Sequence, residues 1–135
     1  MKRIPESKLV DIVADQLQLL HRVAREVPYF EKRIDIGMVN AENGELWAVE
    51  VKVADWNRAY SQAFINLTAA DRSYIAMYAN NAHRVPIDLL RDEGIGLLSV
   101  GTEPGEVTVL LEAQKSRYTN RLAADDICRR IGEGE

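Results

Sequence analysis

A chain of 135 residues, 47% hydrophobic and 28% charged, has room for one packed domain and needs no disulfide or metal staple to hold it. A single cysteine, Cys128, excludes an internal disulfide and fits a reducing cytoplasm, and no apolar run reaches the length of a signal sequence or a membrane span. The net charge of −4 is unlike that of a sequence-independent DNA binder, and His21 and His83 have no partners at zinc-ligand spacing.

In chain order, Pro5 suits the first turn of a helix over 5–20, with Leu9, Ile12, Val13, Leu17 and Leu20 on one face. Residues 22–28 read as a strand with Val23 and Val27 on one side and Ala24 and Glu26 on the other. Residues 33–39 alternate, placing Ile34, Ile36 and Met38 on one face and Arg33, Asp35 and Gly37 on the other. Asn43-Gly44 marks a turn into a strand over 46–53, where Trp47, Val49, Val51 and Val53 oppose Leu46, Ala48, Glu50 and Lys52. Asp55 can cap a helix to about Ala69, with Trp56, Ala59, Tyr60, Ala63 and Leu67 as its apolar stripe. A buried strand over 73–79 follows, then a short helix opened by Pro86 and closed by Gly94. Strands over 95–100 and 107–112 flank the turn at Glu103-Pro104-Gly105. A last helix over 120–131 has Thr119 as its expected cap and Gly132 just past its end, and the tail 132–135 lacks the apolar content to order itself. A meander followed by helical crossovers predicts a mixed α/β sheet with helices on both faces.

The residues that carry chemistry are Asp35, Glu50 and Lys52. Glu50 and Lys52 point the same way from an otherwise apolar strand, and Asp35 can meet Glu50 across the Asn-Gly hairpin. A carboxylate and an ammonium beside a buried face are costly unless paired or put to use. Two convergent carboxylates suit Mg²⁺ or Mn²⁺, which polarises a phosphodiester and lowers the pKa of a bound water. Lys52 can orient that water and stabilise developing charge, and the Val51 carbonyl would be a further ligand. Spacing alone favours the plainer alternative, a cross-strand salt bridge on a solvated sheet. The apolar strand, the isoleucines around Asp35 and Gln62 in the next helix shift the balance.

Ile34-Asp35, Glu50-Val51-Lys52 and Gln62-Ala63, in that order, resemble the PD-(D/E)XK nuclease superfamily, with Ile34 where the motif has proline. The resemblance covers about residues 5–79, with 80–135 as an extension of the same single domain, and 84–100 resembles the tail of small members. It implies a restriction-endonuclease-like α/β fold. It also implies Asp35 and Glu50 as Mg²⁺ ligands, Lys52 as the motif lysine, Gln62 beside the active site, and Glu26 as a supplementary acid. Arg33, Arg25, Lys32 and Arg58 are candidate nucleic-acid contacts, although Arg33 is first expected to pair with Asp35. The expected activity is metal-dependent hydrolysis of DNA, with an endonuclease favoured. The residues leave open the strand geometry of the substrate and the use of RNA. The alternatives are a non-catalytic nuclease-fold subunit that needs a partner, and an interaction protein whose Asp-Glu-Lys set is only a salt-bridge network. Cutting both strands of a duplex predicts a homodimer, through the C-terminal helix or an apolar face bearing Trp56.

Overall fold

The structure, a computed structural model, describes residues 4–133. The expected tail at Gly134 and Glu135 lies outside them. Helix α1 (Glu6–Gln18) leads into β1 (Arg22–Tyr29), β2 (Lys32–Val39) and β3 (Leu46–Lys52), which pair as antiparallel neighbours. Helix α2 (Trp56–Asn66) crosses to β4 (Arg72–Tyr78), parallel to β3. The short α3 (Ala79–Ala82), which the sequence did not signal, and α4 (Ile87–Glu93) cross to β5 (Gly96–Val100), parallel to β4. Strand β6 (Val107–Leu111) returns antiparallel, and α5 (Arg121–Gly132) ends the described chain. The six strands form one mixed sheet in sequence order.

Helices cover both faces, as expected. On one, Leu9, Val13 and Ala14 of α1 pack on Ile36, Val49, Val51, Tyr74 and Ala76. On the other, Ala59, Ala63 and Leu67 from the α2 region join Leu90 of α4 over Ile75, Met77 and Leu97. Ala124, Ile127 and Ile131 of α5 cover Val27, Ile34, Leu46 and Ala48. Each fully buried aliphatic side chain here contributes about 2 kcal/mol of transfer free energy. Trp56 is half-buried and packs against the α2 cluster.

The local punctuation follows its chemistry. Asp55 caps α2 by accepting from the Arg58 N–H at 3.2 Å. Gly94 closes α4 in the left-handed region, at φ 77°. At α5 the expected cap is displaced by one residue. Asn120, not Thr119, accepts from the Leu122 and Ala123 N–H groups, while the Thr119 hydroxyl donates to the Ala70 carbonyl. Gly132 is the last helical residue rather than the residue beyond.

The larger correction concerns strand phase. Val23 packs with the α1 cluster, yet Val27 lies under α5 together with Ala24. Ile36 packs under α1, yet Ile34 lies under α5. The expected faces, Val23 with Val27 and Ile34 with Ile36, are therefore both broken. The break falls at Glu26, whose backbone is left-handed at φ 49°, and at Asp35 opposite it. Neither residue is in the β1–β2 ladder, which passes from Arg25↔Ile36 to Val27↔Ile34. A left-handed residue inside a strand reverses which face the following side chains take and bends the hairpin. The far half of the β1–β2 hairpin thus folds over the α5 side of the sheet.

Candidate active site

Asp35 sits where two ladders open at once. Pairing of β2 with β3 stops at Ile36↔Val49, so Asp35 and Glu50 would be the next pair but do not bond as strand partners. Their side chains take over the backbone groups left free. The Val51 N–H donates to Asp35 Oδ2 at 2.8 Å, and the Asp35 N–H donates to Glu50 Oε2 at 3.3 Å. These bonds satisfy strand donors that would otherwise be orphaned and hold the two carboxylates at one point. The structure therefore brings together Asp35, Glu50 and Val51.

Burial makes the ionised forms of both carboxylates unfavourable. Glu50 is 1% exposed and makes no ion pair among the described residues. Burial, and then the charge of Asp35, push its pKa up to about 8, against the opposing pull of the Asp35 N–H, Lys52 and Asn66. Burial also raises the pKa of Asp35, opposed first by the Val51 N–H bond, while the charges of Glu6 and Glu26 raise it further. Lys52 favours both ionised carboxylates but has its closest acid elsewhere, with Nζ 3.3 Å from Glu6 Oε1 on α1.

A cleft of about 390 Å³ opens between α1 and the strand kink, lined by Glu6, Ser7, Val10, Arg25, Glu26 and Asp35. Asp35 faces this cleft, and Glu50 lies buried behind it. Buried Glu50 and half-buried Asp35, with Glu6, Asp11 and Glu26 also at the cleft, suit a hard divalent cation held by few protein oxygens and several waters. No group of three or more His, Cys, Asp or Glu side chains stands together as a metal cage among the described residues. The donor set thus fits Mg²⁺ or Mn²⁺ bound mainly through Asp35 and Glu50, rather than a closed all-protein site.

The remaining expected residues divide. Glu26 lines the cleft beside Asp35 but is itself exposed. Gln62 is half-buried on α2, one helical turn before Asn66 and on the same side of the helix. Arg33 does not pair with Asp35; its guanidinium donates to the Glu26 carbonyl at 3.4 Å, because the kink turns it away. Arg25 is bound by Asp11 and lies 3.9 Å from Asp15, so its charge is already matched within the chain. Lys32 and Arg58 are exposed and make no ion pair among the described residues.

Two residues at the site carry no mark in the sequence pattern. Glu6 holds Lys52 and biases Asp35 from the first turn of α1. An acid in a helix's first turn reads as ordinary complementation of the helix dipole, so nothing local singled it out. Asn66 is 4% exposed, and its amide lies close enough to Glu50 to favour the ionised form, yet its Nδ2 has no hydrogen bond of normal geometry. Its position four residues after Gln62 was the available signal.

No family model matches the chain, and no curated protein matches it either. Among solved structures it is similar to a protein of unknown function from Silicibacter pomeroyi, with a TM-score of 0.73 and 20% identity, over 99% of this chain and 88% of that one. At that identity the likeness concerns the fold alone.

Proposed function

We propose that the chain is a divalent-metal-dependent nuclease of the PD-(D/E)XK, restriction-endonuclease-like kind, hydrolysing phosphodiester bonds of DNA. The observation that carries this reading is the junction of Asp35 and Glu50 at the open end of the β2–β3 ladder, with Lys52 projecting from the same strand. A salt-bridge network does not explain it, because Glu50 is buried against another carboxylate and lacks an ionic partner among the described residues.

In this reading Asp35 and Glu50 would hold the ion, with the Val51 carbonyl as a further donor. The ion would polarise a phosphodiester and lower the pKa of a bound water. Lys52, paired with Glu6 in the structure, would supply an ammonium to the attacking water and to the developing negative charge. Glu6 would hold that ammonium near the cleft, and Asn66, with Gln62 one turn earlier, would border the site from α2.

The test is cleavage of labelled DNA by the purified chain with Mg²⁺ or Mn²⁺. Activity is expected to be abolished by EDTA, by Glu50→Gln and by Lys52→Ala. Undiminished cleavage in both variants would sink the proposal. A non-catalytic nuclease-fold subunit is the second reading, supported by the lack of a third clustered acid among the described residues. It expects metal and DNA binding without cleavage at any metal concentration.

A further inference from the structure

An open sheet has two edges, and each presents backbone N–H and C=O groups that another strand can take. Here the edges are β1 and β6. The β1 edge is guarded. Glu26 kinks it in the left-handed region, Pro28 lies within it and lacks a donor, and Arg22, Arg25 and Glu26 set charge along it. The Arg130 guanidinium also lies 3.5 Å from the Pro28 carbonyl.

Strand β6 has none of these features. Its sequence, Val107-Thr108-Val109-Leu110-Leu111, carries no charge and no proline. Thr108, Val109 and Leu110 are exposed, Val109 at 48% and Leu110 at 47%. Among the described residues, β6 pairs with β5 alone, and no backbone group of 107–111 bonds to backbone outside that ladder. The register shift at Leu97/Leu98 leaves Leu110 without a β5 partner as well. An apolar edge of this kind, left bare, is a liability for aggregation.

A bare row of backbone groups calls for a strand, and the chain supplies one in β6 itself. We infer that β6 pairs antiparallel with β6 of a second copy, joining the two sheets across a two-fold axis. The guarded β1 edge opposes the alternative, β6 against β1, which would run head-to-tail into open fibres, so association closes at two. The inference does not rest on the nuclease reading, since neither Asp35 nor Glu50 takes part.

Symmetry and chemistry together set the register. Successive residue pairs in an antiparallel ladder alternate between bonded and non-bonded types, so the two-fold axis passes through a residue paired with its own copy. An axis at Leu110 sets Leu110 against Leu110, Val109 against Leu111 and Thr108 against Glu112. An axis at Val109 sets Leu110 against Thr108 and opposes Glu106 to Glu112, a like-charge pair at each end. Axes at Thr108 or Leu111 set Leu110 against a glutamate, and one at Val107 runs the pairing into the turn at Pro104-Gly105. The Leu110 axis alone gives both exposed aliphatics apolar strand partners and opposes no like charges.

The experiment is sedimentation equilibrium of the full chain, wild type and Val109→Lys/Leu110→Lys, over about 1 µM to 1 mM. Two short strands bury less than the about 800 Å² per partner of a standard interface, so a dissociation constant on the order of 10 µM is expected. The mass should rise to twice 15.2 kDa and no further. The double lysine variant, changed only at exposed positions, should keep its circular dichroism spectrum and associate at least about a hundredfold more weakly. Leu110→Cys in a Cys128→Ser chain should form a disulfide-linked dimer under mild oxidation, because directly opposed residues lie within about 6 Å of each other. Val109→Cys, displaced diagonally from its copy, should not. A monomer throughout, a dimer unmoved by the lysines, species larger than a dimer, or cross-linking at Val109 and not at Leu110 each overturns the inference.

Discussion

At the scale of residues, Glu50 decides the behaviour of the site. Its carboxyl is neutral over much of the range where an ordinary glutamate is charged, because burial and Asp35 raise its pKa to about 8 from 4.5. The metal-free folded state therefore binds this proton more tightly than the unfolded chain does. The resulting stabilisation is fully present below the unfolded pKa and is lost as pH rises from about 4.5 toward 8. The loss by pH 8 is at most on the order of 4 kcal/mol. Glu50→Gln, which stays neutral, is expected to raise the melting temperature of the metal-free protein at pH 8 by several degrees and to change it little at pH 4.5. Equal melting curves at pH 8 would contradict the burial of an unpaired charge. A divalent ion reverses the balance in the wild type, since it binds the ionised form and displaces the proton. Calorimetry with Mn²⁺ at pH 7 should accordingly show heats that change with the buffer's protonation enthalpy, and no such dependence in Glu50→Gln.

Among the elements, the β1–β2 hairpin and α5 set the geometry. The hairpin's bend at Glu26 and Asp35 opens both ladders around the candidate ligand. Nothing local announced it, because alternation across 33–39 is unbroken in the sequence and glutamate carries no preference for a left-handed backbone. Residues such as Asp55 and Gly94 were legible because each does the job its chemistry prescribes. Thr119 and Asn120 are both capping types in adjacent positions, and only the Thr119 bond to Ala70 chooses between them. Helix α5 is pinned at its start by Arg121, which bonds Asp71 at 2.7 Å; Asp71 is 2% exposed and also accepts from the Leu46 N–H at 2.8 Å. Arg121→Ala leaves that carboxylate buried with only the backbone bond. Denaturant unfolding should show a loss of about 1–3 kcal/mol, discounted from a fully buried pair because the guanidinium is half-exposed. A change below 0.5 kcal/mol, on the scale of about ±0.5 kcal/mol for ordinary surface substitutions, would remove this anchoring role. Phe30→Gly, by contrast, should stabilise the fold by about 1 kcal/mol in denaturant unfolding, because Phe30 holds a left-handed backbone at φ 55°.

For the whole molecule, the mixed sheet with α1 on one face and α2, α4 and α5 on the other followed from the order and periodicity of the elements. What the sequence hid was long-range. Glu6 reaches Lys52 from 46 residues away, and Asn66 comes beside Glu50 only because α2 lies back over β3. The net charge of −4 is a chain-wide sum and says nothing of where the cations lie, several of which, Arg25, Arg72 and Arg121 among them, are matched by acids within the chain. No helix among the described residues is long and apolar enough to cross a membrane. The most direct test of the central claim is a crystal soaked in Mn²⁺ and measured for anomalous scattering. The account predicts a peak coordinated by carboxylate oxygens of both Asp35 and Glu50, absent in Glu50→Gln. A fully soaked crystal with no peak there, or with Lys52 bonded across the two carboxylates in the ion's place, would contradict it.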